Sequence, residues 1–133
     1  MEPELDLKLI KEHLMGVHAS LGDLSLGVAL GTMDGEVVVG TGTAGEEFDA
    51  TIAVRDFSKV IKNGAETFNE LKAGELMYVM LASHEKIGLV MPVGDKYFIG
   101  LAALQGLSIK RAMFQMKIAQ NRLAQPLYGE VVG

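Results

Sequence analysis

The stretch "VVVGTGTAGEE", residues 37–47, holds a complete G-x-G-x-x-G formed by Gly40, Gly42 and Gly45 directly after a β-branched run. Such a turn binds a pyrophosphate when it opens a helix inside a unit of parallel strands, so that bare amides and the helix N-terminus face the anion. Here the preceding strand reads as the return arm of a hairpin closed at Asp34-Gly35, which makes it antiparallel to its predecessor. Glu46 and Glu47 stand where phosphates would sit, and no lysine follows in Walker A fashion. The glycines therefore read as a freely turning exit loop. Other chemistry is equally thin. His13 and His18 are five residues apart, unlike the i, i+4 spacing that puts two metal ligands on one helix face, and His84 falls in a tight turn. Ser20, Ser25, Ser58, Ser83 and Ser108 have no G-x-S-x-G elbow around them, and with no cysteine there is no thiol chemistry or zinc ribbon. The residues point to no catalytic group, no metal set and no cofactor.

The elements that would position any site belong to one domain. The chain has 133 residues, enough to bury a core without disulfide or metal staples. Its net charge of −5 argues against broad binding of nucleic acid or anionic membrane. No apolar run reaches transmembrane length, and "MEPELDLK" is acidic where a signal peptide would be basic, so the expected location is the cytoplasm.

Hydrophobic periodicity then gives the order of elements. Leu7, Ile10, Leu14, Val17 and Leu21 form one stripe of a first helix, with Pro3 suited to its first turn. "LSLGVALGTMDGEVVVGTG" reads as a hairpin from about Leu24 to Met33 and Glu36 to Thr41, its Asp34-Gly35 fitting a type I′ turn. Residues 43–55 are ambiguous: "FDATIAVRD" fits a loop, a short strand or an early helix. From Asp56 a helical face is plain: Val54, Phe57, Ile61, Ala65, Phe68 and Leu71, ending near Gly74. Three strands, "ELMYVMLAS", "KIGLVMPVG" and "KYFIGLAAL", are joined by tight turns, and a last helix from Ser108 to Gln125 stops at Pro126. This divides the chain into a domain over 1–126 and a tail, 127–133, without assigned structure.

The order α-β-β-α-β-β-β-α with tight turns makes an α+β domain with an antiparallel sheet. Leu76, Tyr78 and Met80 alternate with Met77, Val79 and Leu81, apolar on both parities, so something apolar is expected on each side of this strand. Gly27, Ala29, Gly31, Gly88 and Gly100 would give one sheet face so flat that a helix can approach closely. The methionines, among them Met77, Met80, Met91, Met113 and Met116, read as core filler more than as a promiscuous binding surface.

Two features remain. "LMYVMLA" carries neither charge nor proline, so at a sheet edge it would expose an open hydrogen-bonding ladder unless a second copy paired with it about a twofold axis. A central, fully covered strand is the other reading, and the sequence does not separate them. Gly64, between Ile61 and Phe68, either is slack in the middle helix or lets another backbone come close.

"GVALGTMDGEVVV" and "LKAGELMYVMLASHEKIGLVMPVGDKYFIGLAA" together resemble the roadblock family of dynein-light-chain-like domains, in its prokaryotic small-GTPase-regulator branch, across about Leu7 to Leu123. The resemblance implies a profilin-like, roadblock architecture: a five-stranded antiparallel sheet of order 2-1-5-4-3 sandwiched between helices. It implies a homodimeric, non-enzymatic adaptor whose partner is a small Ras-like GTPase, with a small-ligand sensor or a purely structural scaffold as the alternative. Carried onto this chain, the dimer residues are Phe57, Ile61, Gly64, Phe68, Leu76, Tyr78 and Met80. The resemblance further implies that Arg55, Lys59 and Lys62 of the middle helix would face the GTPase. The apolar segment from Thr43 to Arg55 departs from a simple connector and puts the start of the middle helix in doubt.

Overall fold

A computed structural model describes residues 5–42 and 48–129. Among them run, in order, α1 (Leu7–Leu21), a 3₁₀ turn (Gly22–Leu24), β1 (Ser25–Thr32), β2 (Val37–Gly42), α2 (Ala50–Glu70), β3 (Val79–Ala82), β4 (Lys86–Val93), β5 (Tyr97–Leu104) and α3 (Ile109–Tyr128). The strands form one antiparallel sheet of order β2-β1-β5-β4-β3. This is the α+β architecture and strand order that the resemblance implied.

Strand alternation sends side chains into two cores. Val28 and Leu30 of β1, Leu89 and Met91 of β4, and Ile99 and Leu101 of β5 meet the stripes of α1 (Ile10, Leu14, Val17, Leu21) and α3 (Ala112, Met116, Ala119, Leu123). The opposite parity, with Ala29, Val90 and Phe98, meets Val54 and Ile61 of α2. This second face is as flat as its small residues suggest. A Cβ at Gly100 would stand 2.6 Å from the Phe57 ring, one at Gly31 2.4 Å from Val54, and one at Gly27 2.2 Å from Phe48. The space directly above these glycines is thus filled by the chain's own side chains.

Four local expectations change. Asp34 does not take the positive φ that type I′ requires; only Gly35 does, at +94°. The Gly35 amide bonds the Thr32 carbonyl at 2.9 Å, a type I turn followed by a left-handed glycine, and the β1–β2 register slips between Leu30 and Gly31. α2 begins at Ala50, well before Asp56, because Asp49 caps it: its Oδ1 accepts from the Thr51 and Ile52 amides at 2.9 and 3.2 Å. The helix α3 runs through Pro126 to Tyr128. Leu127 enters the core, and the Tyr128 hydroxyl donates to the Val93 carbonyl and accepts from the Lys96 amide. These tertiary contacts outweigh the one intrahelical hydrogen bond the proline removes, and the helix continues past it to Tyr128. Finally, β3 is four residues long; Leu76 to Tyr78 are not part of it. Pro3 and Gly45 lie outside the described residues.

Candidate functional site

The short β3 is the least covered part of the sheet. It pairs with β4 from Val79↔Val90 to Ala82↔Ile87 and, among the described residues, has no neighbour on its outer side. Directly opposed residues in an antiparallel pair share a face. Met80, opposite Leu89, therefore points to the α1–α3 side, and Leu81, opposite Gly88, to the α2 side. The helices do not follow it out. α3 packs against β4 without comparable contact to β3, and α2 reaches β3 where Gly64 meets Val79. Met80 and Leu81 are consequently 46% and 44% exposed. The apolar cover expected on each side of this strand is not supplied by the described part of its own chain, and Met77 and Met80, read as core filler, sit at the surface. Met91 and Met116 are buried as that reading expected.

Before Val79 the chain leaves the sheet. Leu76 turns back onto α2, its Cδ2 standing 3.3 Å from where a Gly64 Cβ would be. It joins the α2-side core while Met80 lies on the other face, so the shared direction expected of Leu76, Tyr78 and Met80 is broken where the strand ends. The gap left beside β4 is an open groove of about 1300 Å³, lined by Phe68, Leu76, Tyr78, Pro92, Lys117 and Tyr128 among others. Pro92 offers no N–H for a further strand, and its carbonyl accepts from Gln120 Nε2 at 2.5 Å. This upper part of β4 is thus closed to strand addition. β3 has no such protection.

The middle helix divides its residues between its own core and solvent. Ile61 is 2% exposed, and Phe57 covers Gly88 and Gly100, so both face the sheet of their own chain. Gly64 admits Leu76 and Val79, an intrachain use of the slack a missing Cβ leaves. Phe68 and Leu71 remain uncovered at 39% and 68%. On the outer side, Arg55, Lys59 and Lys62 are all exposed, at i, i+4, i+7 spacing along one stripe. Arg55 Nε sits 3.3 Å from Asp56 Oδ1, an exposed pair of little energetic weight.

The titratable groups do not assemble into a reactive centre. His18 Nδ1 lies 2.7 Å from Ser25 Oγ, but Ser25 is fully buried and the pair fastens the end of α1 to the start of β1. His13 is held below its ordinary pKa, chiefly by partial burial and then by the nearby Arg122. Tyr128 is raised, mainly by burial. Among the described residues no three His, Asp or Glu side chains gather as a metal set. Gly40 and Gly42 belong to β2, antiparallel to β1, which is not the β-α-β setting a dinucleotide turn needs. Ser58, which no motif singled out, is buried on the core side of α2, its hydroxyl donating to the Arg55 carbonyl.

No protein-family model and no curated protein matches the chain. Solved structures do. Myxococcus xanthus MglB superposes with a TM-score of 0.85 at 12% identity, covering 100% of this chain and 98% of that one. The gliding protein MglB of Thermus thermophilus gives 0.84 at 13%, covering 98% and 100%. A Roadblock/LC7 domain from Streptomyces avermitilis gives 0.76 at 13%, covering 84% and 92%. No described helix is long and apolar enough to cross a membrane.

Proposed function

We propose that this chain, which has the roadblock/LC7 fold, is a non-enzymatic cytoplasmic adaptor that pairs with a second copy of itself and binds a small Ras-like GTPase. The observation that carries it is the outer side of β3, which no described residue covers and where exposed apolar side chains accompany an open ladder. Antiparallel pairing of two β3 strands about an axis normal to the sheet extends the sheet across both copies and sets the two α2 helices on the same face. Burying Met80 and Leu81 would contribute at most ~1.5–3 kcal/mol each, more than a ladder hydrogen bond at ~1 kcal/mol. From α2 the contact includes Phe68, which lines the same groove as Tyr78, while Phe57 and Ile61 also pack on their own sheet and Gly64 also admits Leu76. The GTPase-facing stripe is Arg55, Lys59 and Lys62, exposed and free of core duties.

Sedimentation velocity across a dilution series tests the pairing; a single-chain mass at all concentrations removes it. The GTPase reading is tested by mixing the protein with the small GTPase encoded nearest its gene, in GDP and GTP-analogue forms. Binding to one form, or a changed hydrolysis rate, supports the reading. Neither effect in either form eliminates it.

A further inference from the structure

The chain-wide charge of −5 conceals a segregation. Helices α1 and α3 carry Lys8, Lys11, Lys110, Arg111, Lys117 and Arg122, half of the chain's 12 cationic residues, and of its 17 acidic residues they hold only Glu12. The two helices pack side by side as one layer, tied where the Arg111 guanidinium donates to the Ser20 carbonyl at 2.7 Å. All six cations are exposed. Among the described residues the ion pair found is Arg55–Asp56 on α2, across the sheet, so none of the six is neutralised there by a carboxylate at salt-bridge distance.

Apolar side chains stand between these charges. Lys110, Phe114 and Lys117 follow one another at i, i+4, i+7 on a side of α3 away from its buried stripe, and Phe114 is 63% exposed. On α1, Lys8 and Met15 share a face in the same way, Met15 being 49% exposed. An aromatic ring between two lysines has nothing to gain from water. At a lipid surface the ammonium groups meet phosphates while the ring enters the boundary between headgroups and acyl chains.

We propose that the α1–α3 layer is a peripheral docking face for an anionic phospholipid bilayer, lying flat on it without insertion. The local excess of cations supplies the charge complementarity, and Phe114 and Met15 favour a bilayer over an acidic protein tail, which offers them no apolar phase. The face is on the opposite side of the sheet from α2 and does not depend on the proposed dimer. Pairing through β3 would turn two copies of it toward the same side and double the charge presented.

Co-sedimentation of the full chain with vesicles tests this. One set is phosphatidylcholine alone, and the other contains about 30% phosphatidylglycerol, at about 50 and about 500 mM salt. The expected result is at least tenfold greater binding to the anionic vesicles at low salt. The Lys8→Glu/Lys110→Glu double variant should lose about tenfold, Phe114→Ala should lose less, and both should keep the wild-type melting temperature. Equal binding to both vesicles, no binding to either, or anionic binding that the double variant retains would overturn the proposal. So would binding of a polyglutamate peptide without binding of vesicles, which assigns the face to an acidic protein segment.

Discussion

β2 and β3 are the two outer strands of one sheet, and both lack charge and proline: Val37–Gly42 reads VVVGTG and Val79–Ala82 reads VMLA. Their surroundings differ. β2 lies beneath helices on both faces: Val38 and Val39 pack on the α1–α3 core, and a Cβ at Gly40 would stand 2.7 Å from Ala50 of α2. A register shift in the β1–β2 ladder further distorts that rim. β3 projects past the helical layers, and three of its four residues are exposed. An open ladder whose side chains are roofed over is hard to approach. One whose side chains are also bare invites a partner. What distinguishes the two strands is thus the cover above and below them more than their own residues.

The contrast can be broken from either side. The largest effect is expected at the roofed rim, where Gly40→Val drives a branched side chain into Ala50. It should cost about 1–3 kcal/mol in urea unfolding, the range for overpacking. A Gly40→Val protein of unchanged stability would mean that α2 does not clamp β2. At the bare rim, Met80→Lys should leave monomer stability within about 0.5 kcal/mol. By placing a charge on an edge strand it should weaken the proposed self-association at least tenfold, about 1.4 kcal/mol, in sedimentation equilibrium. The same association constant in wild type and variant would place the contact elsewhere.

Asp49→Ala sharpens the comparison by loosening the start of α2, the part of the roof nearest Gly40. A lost cap of this kind costs ~1 kcal/mol, and faster amide exchange should be confined to the first turn of the helix and β2. The smallest effect concerns α1, which covers the other face of β2. Because His13 has its folded-state pKa below the ordinary 6.5, the unfolded chain binds this proton first. Stability should therefore decline as the pH falls below about 6.5, until the folded-state pKa is passed. His13→Gln should flatten that part of the profile in thermal melts. An unchanged slope would assign it to other groups.

Much of the fold was legible because period and punctuation are local. The stripes of α1 and α3, the D-G hairpin and the three-strand meander follow from side-chain spacing, and the flat face was visible in Gly27, Gly31, Gly88 and Gly100. The resemblance supplied the strand order, which spacing alone did not. The errors fell where a tertiary contact overrides a local rule. Tyr128 and Leu127 hold a helical turn past Pro126. Asp49 was an available N-cap that would have decided for the early helix among the readings the segment left open. The short span of β3 had no sequence mark, since Leu76 to Tyr78 are as strand-like as Val79 to Ala82.

The sequence by itself determined the apolar stripes of the helices, the glycine positions on one sheet face, and that six cations and a phenylalanine share two helices. Those properties depend on residue type and periodicity, which no neighbour can alter. Only the tertiary structure decided that β3 lies beyond the helices while β2 lies under them, and that the cations of α1 and α3 meet on one face. Exposure and charge density are properties of what stands beside a residue in space, and here those neighbours come from distant parts of the chain.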